Sequence, residues 1–136
     1  MNDRKPIPNA VKREEFPKSL RLWFVVHFVL DIIFAIPMIL IPEKLMTFVG
    51  WSVVEPVTAR IVGAALLGIG VESLLGRNAS REVFKHMLNL KIIWSAGAVL
   101  GIGLGIAAGG PPIAWAFLAI FAAFFGLWSY YRIKLR

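Results

Sequence analysis

The sequence predicts an all-α fold, a bundle of four transmembrane helices with a short interfacial helix between the first and second spans. Of the 136 residues, 58% are hydrophobic and only 17% are charged, which is unusual for a soluble domain. Four apolar segments are each close to the ~20 residues that a helix needs to cross a bilayer. We therefore expect residues 21–136 to form one membrane domain, with no room for a large catalytic or receptor domain.

The four predicted spans cover residues 22–41, 57–75, 87–108 and 113–131. The first run is too long for a signal-peptide core and lacks a small-residue cleavage site, so we interpret it as a retained span. Pro42 ends it, and the apolar side of residues 43–55 predicts the interfacial helix. Residues 109–112, Gly-Gly-Pro-Pro, predict a tight turn between the last two spans.

The basic residues predict the orientation in the cell membrane. Six Lys or Arg residues precede the first span, three follow the second and three follow the fourth, whereas the opposite loops contain only Lys44. The positive-inside rule then places both termini, including a basic tail at residues 1–20, in the cytoplasm. The net charge of +7 is thus explained by topology and contacts with membrane lipids, and it does not indicate nucleic-acid binding.

Aromatic residues lie mostly near the predicted span ends, as is typical of interfacial side chains. They are Trp23, Trp51, Trp94, Trp115, Trp128, Tyr130 and Tyr131.

A row of glycines runs through the third span. Gly97, Gly101, Gly105 and Gly109 recur every fourth residue, and such rows let another helix approach closely in a membrane. The second span carries small residues at the same spacing, in the pairs Ala59/Gly63 and Ala64/Gly68. We favour packing of the row against the second span, and the alternative is a glycine zipper between copies in a homo-oligomer.

Ionisable residues inside spans are the candidate ligand or proton sites, because a charge at the bilayer centre costs several kcal/mol unless it is paired or hydrated. They are His27, Asp31, Arg60, Glu72 and Lys91. His27 and Asp31 share a helix face at a spacing of four. Similar depth predicts an ion pair between Glu72 and Lys91, and the reach of arginine allows a bridge from Arg60 to Asp31.

The residue types exclude several chemistries. The chain has no cysteine, which removes disulfides and thiolate sites. A metal site built from His27, Asp31, Glu72 and His86 lacks dense ligand spacing, so we predict no metal and no cofactor. No serine lies in a nucleophile motif, and Ser73, Asn89 and Ser95 are predicted to hydrogen-bond between helices.

The segment PEKLMTFVGW followed by EPVTARIVGAALLGIGVESLLGR resembles a broad set of small, uncharacterised four-helix membrane proteins of bacteria and archaea, including DoxX-like ones. The shared pattern is a proline and short helix after span one, then Ala59, Arg60, Gly63 and Ala64 at the start of span two. The resemblance implies the architecture and a recurring Arg60. It implies no single reaction and no catalytic residue.

Three functions remain open. The favoured one is a non-enzymatic protein that binds or helps to move a lipid or small hydrophobic ligand in a cavity bordered by His27, Asp31, Arg60 and Glu72. The second is a structural or accessory membrane subunit acting through its glycine and alanine faces. The third is a proton-linked pathway or membrane-embedded enzyme that uses Asp31 or Glu72.

Overall fold

The structure is a computed structural model that describes residues 17–136, and within that range it is helical, with no strand. Four long helices and one short helix follow each other along the chain. They are α1 (Lys18–Leu40), α2 (Pro42–Phe48), α3 (Pro56–Leu75), α4 (Arg81–Ala107) and α5 (Ala114–Lys134), with a 3₁₀ turn at Gly76–Asn78 after α3. All but α2 are long and apolar enough to cross a membrane. Length and composition thus support a multi-pass membrane protein and confirm the predicted fold class.

Two helices begin several residues before the predicted spans. The first turn of α1 takes up residues 18–20 of the predicted tail, while residues 1–16 of that tail lie outside the described range. Helix α4 begins at Arg81, six residues before the predicted span. Phe84 on this added segment is fully buried, which explains why a stretch with polar residues is held as helix.

Prolines set the boundary between α1 and α2. Pro37 lies inside α1 without ending it, and the backbone N–H of Ile41 donates to the Pro37 carbonyl at 2.8 Å. Pro42 takes the first position of α2, where its missing N–H has no cost. The short helix predicted from residues 43–55 is therefore present and follows α1 directly.

The start of α3 is capped by Glu55. Its carboxylate accepts hydrogen bonds from the backbone N–H groups of Val57, at 3.1 Å, and Thr58. Hydrogen bonds from the side chain and backbone of Thr58, together with that from Val57, lower the pKa of Glu55. The carboxylate also complements the positive end of the helix dipole.

We expect Glu55→Gln to lower the thermal unfolding midpoint at neutral pH. The contribution of this cap is present above the pKa of glutamate in the unfolded chain and is lost as the pH falls through the lower folded-state pKa. The difference between wild type and variant should therefore vanish in acid, as followed by circular dichroism across a pH series. A difference that stays constant into acid would show that the charge of Glu55 does not act as a cap.

Helix α4 ends in the predicted tight turn. Gly109 has a φ of +88°, and the N–H of Gly110 donates to the Gly105 carbonyl at 2.9 Å. This pattern closes the helix as a Schellman motif, in which the left-handed residue is normally glycine. The role of Gly109 is thus to turn the chain back into α5.

The long helices form two pairs, α1 with α3 and α4 with α5. The pairs are joined by a hydrophobic core at the end where α1 and α4 begin and α5 finishes. Its buried members are Leu20, Phe24, Phe84, Met87, Leu88, Trp128, Tyr131 and Leu135. Many large apolar side chains elsewhere on the helices are exposed, as expected for a surface that lipid would cover.

Polar contacts fasten α4 to α5 at this core end. The Arg132 Nε donates to Asn89 Oδ1 at 2.7 Å, which confirms the predicted interhelical role of Asn89. The guanidinium of Arg81 donates to the carbonyls of Leu135, at 3.2 and 3.4 Å, and Arg136, at 2.8 Å. A cation is favourable at these carbonyls because they lie at the negative end of the α5 dipole.

Candidate functional site

A cluster of buried polar side chains lies between the two helix pairs, next to the hydrophobic core. His27 and Asp31 come from α1, Ser73 from α3 and Lys91 from α4, and each is less than a tenth exposed. The Lys91 Nζ lies 2.5 Å from Ser73 Oγ and 3.1 Å from His27 Nδ1. The same His27 nitrogen lies 2.9 Å from Asp31 Oδ2. We call these four residues the polar cluster.

Hydrogen-bond roles in the polar cluster follow from counting protons. The Ser73 hydroxyl donates to the Ile69 carbonyl at 2.6 Å, so its oxygen accepts from Lys91. The ammonium of Lys91 can only donate hydrogen bonds, so the lone pair of His27 Nδ1 accepts a hydrogen bond from it. That nitrogen then has no proton for Asp31. Consistently, Asp31 Oδ2 is buried and accepts no hydrogen bond of suitable geometry from residues 17–136.

Aromatic rings surround the cation of the polar cluster. The Lys91 Nζ lies 5.1 Å from the ring centre of Phe24 and 5.2 Å from that of Trp128. Such cation–π contacts offset part of the cost of desolvating an ammonium. Phe124 and Trp128 also pack edge-on against the His27 ring, with centres 5.1 and 5.3 Å away. The α5 aromatics therefore fix both the lysine and the imidazole.

A cavity of about 650 Å³ opens beside the polar cluster and extends towards α2. All five helices line it, almost entirely with apolar side chains, including Phe34, Met38, Met46, Leu66, Trp94 and Phe121. The polar cluster contributes His27 and Asp31 to this lining. The site is thus a hydrophobic chamber with one acidic and one imidazole group in its wall.

The structure brings together three of the five predicted ionisable residues, His27, Asp31 and Lys91. The predicted ion pair between Glu72 and Lys91 is wrong, because no such bridge forms in the described part of the chain and Lys91 bonds to Ser73 and His27. Glu72 is exposed. Successive helical residues point about 100° apart, so Ser73 faces inwards where Glu72 faces out.

The bridge from Arg60 to Asp31 does not form either. Arg60 is exposed, and its Nε donates to the carbonyl of Ile39 at 3.1 Å. This carbonyl belongs to the last turn of α1, where a cation is favoured by the helix dipole. Asp31 lies eight residues before Ile39, or about 12 Å away along the helix axis. Arg60 therefore bonds to the nearer carbonyl of Ile39.

The glycine row of α4 does not pack against α3, which corrects the favoured interpretation. A Cβ added at Gly97, Gly101 or Gly105 would meet nothing within 4 Å, and the same holds for Gly68 on α3. The close helix contact is instead between α3 and α1. A Cβ at Gly63 would lie 2.9 Å from Met38 Cβ, and one at Gly70 would lie 2.8 Å from Asp31 Cβ.

Trp128 is not an interfacial side chain, as its position near a span end predicts, but a core residue. It is fully buried, stacks on Phe124 with ring centres 5.6 Å apart, and joins the core. Its spacing of four from Phe124 is the signal that marks a shared inward face of α5. Ser73 takes the predicted role of interhelical hydrogen-bond partner, through Lys91.

No metal site is evident from these groups, since no three His, Asp or Glu residues cluster in residues 17–136. Protein-family models, curated proteins and solved structures were compared with the chain. None of the three comparisons found a match. The resemblance to DoxX-like proteins therefore stays a prediction, and the function must be argued from the site itself.

Proposed function

We propose that this protein binds a lipid or small hydrophobic molecule in the cavity beside the polar cluster, and holds or helps to move it within the membrane. The observation that carries the proposal is the apolar cavity of about 650 Å³ with His27 and Asp31 in its wall. Small-molecule sites are typically cavities of ~300–1,000 Å³ that are mostly apolar with a few polar groups for orientation. Ionisable residues within spans are costly, and they usually mark functional sites.

The polar cluster supports binding better than catalysis. Ser73 is fully buried, and its hydroxyl is occupied by the Ile69 carbonyl and Lys91, so it is not poised as a nucleophile. Lys91 is 2% exposed and is enclosed by Phe24 and Trp128. Neither residue is among those that line the cavity. The groups that a ligand can reach are Asp31 and His27.

We expect Ala123→Phe to abolish most ligand binding. Ala123 lines the cavity, so a phenyl ring there fills space that the ligand needs. Overpacking costs ~1–3 kcal/mol, which corresponds to about five- to 150-fold weaker binding. The measurement is native mass spectrometry of protein released from native membrane vesicles, scored as the fraction that carries a bound small molecule.

The matched control is Ala122→Phe, which adds the same ring one residue away at a position that does not line the cavity. It should retain the ligand as wild type does. Wild-type protein without any retained molecule, or equal loss in both variants, would contradict the proposed binding function.

A second function, that of an accessory subunit or homo-oligomer, is favoured by the outward glycine row. Gly97, Gly101 and Gly105 have open space beside them within the chain, whereas Gly63 and Gly70 are used against α1. Exposed small-residue rows are typical of contacts between membrane helices.

For this second function we expect Gly101→Leu to convert an oligomer to monomers while the fold is kept. Size-exclusion chromatography with light scattering would measure the mass of the protein–detergent complex. An unchanged mass would remove glycine-mediated assembly as a function.

We also propose that both termini face the cytoplasm of a cell membrane. The support is the charge distribution, since basic residues concentrate before and in the first turn of α1, from the end of α3 to the first turns of α4, and from the last turn of α5 to the end of the sequence. In this orientation the polar cluster lies towards the cytoplasmic side and α2 lies at the opposite surface.

A further inference from the structure

We propose that the ligand is a neutral amphiphile with a hydroxyl group, bound with the hydroxyl at Asp31 and its hydrocarbon chain along α1 and α5. This inference rests on the proposed binding function and names the chemical class of the molecule. Three features of the site select that class: the unsatisfied acceptor, the balance of charge, and the length of the cavity.

The acceptor is the carboxylate of Asp31. Asp31 lines the cavity and is only 8% exposed. Its Oδ2 is buried beside His27 Nδ1 and receives no well-directed hydrogen bond from residues 17–136, so the oxygen left for a ligand in the cavity is Oδ1. The neighbouring His27 Nδ1 is occupied as an acceptor for Lys91, so the protein supplies no proton there. A buried polar group without a partner costs ~1–3 kcal/mol, and more for a charged group. A molecule in the cavity that donates a hydrogen bond to Asp31 Oδ1 lowers the cost of burying this carboxylate.

The charge balance makes that donor a neutral one. The ammonium of Lys91 and the carboxylate of Asp31 both contact one nitrogen of His27, so their opposite charges are separated by a single atom. The cluster is neutral as it stands when His27 is uncharged. A cationic head group would leave an excess positive charge in a low-dielectric site. An anionic head group would be repelled by the carboxylate of Asp31. A hydroxyl donates a hydrogen bond without adding charge.

The cavity sets the size of the hydrocarbon part. Its α1 wall extends from Trp23 to Met38, which is 15 residues or about 22 Å along the helix axis. This is roughly three quarters of the ~30 Å hydrocarbon thickness of a bilayer. Phe124, Phe121 and Phe117 line the same length from α5. A single chain of about a dozen carbons, or an isoprenoid of similar length, fits this space.

The test compares four probes with the same chain on full-length protein in phosphatidylcholine nanodiscs. Tritiated dodecanol binding is measured by scintillation proximity, with empty nanodiscs subtracted, and is displaced by dodecyl methyl ether, dodecylamine or dodecane. We expect dodecanol to bind at least about tenfold more tightly than the ether, which accepts but does not donate, because hydrogen bonds to charged groups are the strong ones. Dodecylamine and dodecane should also be weaker.

Each outcome decides a different point. If dodecanol and dodecane bind equally, the cavity binds hydrophobic molecules without recognising a hydroxyl group, so this inference fails while the proposed function stands. If dodecylamine binds best, a cation is selected and the neutral class is wrong. If none of the four probes binds above empty nanodiscs, the inference and the proposed function both fail.

Variants assign the selectivity to Asp31. Asp31→Leu should remove the preference for dodecanol over the ether, and Asp31→Asn should reduce it to a few-fold because a neutral acceptor forms a weaker bond. The control Glu72→Gln changes an exposed acid that does not line the cavity, and it should keep the full preference. If either folded Asp31 variant keeps the wild-type preference for dodecanol over the ether, Asp31 does not recognise the hydroxyl group and the inference is overturned.

Discussion

Replacing Lys91 with methionine is expected to destabilise the protein by about 3–5 kcal/mol, the usual cost of leaving one of two compensating buried charges alone. Lys91 is the cation of the polar cluster and donates to both Ser73 and His27. Without it, the Asp31 carboxylate is buried with no opposite charge. The free energy of unfolding can be measured by titrating sodium dodecyl sulfate into mixed micelles and following tryptophan fluorescence.

Two further variants separate charge from packing in this prediction. Lys85→Met removes a lysine from the same helix, where its partner Glu82 is exposed, and should have little effect. The double variant Asp31→Leu/Lys91→Met removes both charges and should recover much of the lost stability, since paired apolar replacements are often neutral. A double variant whose loss equals the sum of the single losses would contradict a coupled pair.

The second large effect is expected at Gly63, where we predict that Gly63→Ala costs about 1–3 kcal/mol through overpacking. The added Cβ would lie 2.9 Å from Met38 Cβ and 3.1 Å from the backbone carbonyl oxygen of Ala35. A backbone atom moves only if α1 and α3 separate as rigid elements. The same detergent titration measures the loss.

Gly68→Ala is the matched control on the same helix. A Cβ there meets nothing within 4 Å, so the variant should be as stable as wild type or slightly more stable through better helix propensity. Equal destabilisation by the two substitutions would show that the effect belongs to glycine in general and not to the contact of α3 with α1.

The helices could be predicted from sequence because each depends on local signals. Apolar length marks the four spans, Pro42 and Pro56 mark helix starts, and the Gly-Gly-Pro-Pro sequence marks the turn after α4. These features fix where the chain crosses the bilayer. They contain no information on which helix faces which neighbour.

The pairing of side chains could not be predicted because it depends on helix rotation. The depth argument placed Lys91 correctly opposite residues 72 and 73 of α3, but the choice between Glu72 and Ser73 is one of rotation about the helix axis. Small residues on α3 and α4 suggested that these helices meet, yet α3 uses Gly63 and Gly70 against α1. Apolar helices in lipid have no polar outer face to reveal their orientation.

Of the four residues predicted to border a cavity, the structure places two in the cavity wall. His27 and Asp31 line it, whereas Arg60 and Glu72 do not. Its apolar walls come from bulky residues of all five helices, which sequence reasoning could not distinguish from lipid-facing ones. The polar cluster, with Asp31 unsatisfied beside an apolar chamber, emerges only when the helices are assembled.

The most direct measurement is an experimental structure of the protein crystallised from a lipid mesophase without added ligand. We predict elongated density in the cavity, running along α1 from the Asp31 carboxylate towards Met38, with a polar atom within hydrogen-bond distance of Asp31. A cavity closed by its own aromatic side chains, with Asp31 bonded to a protein donor, would contradict ligand binding at this site.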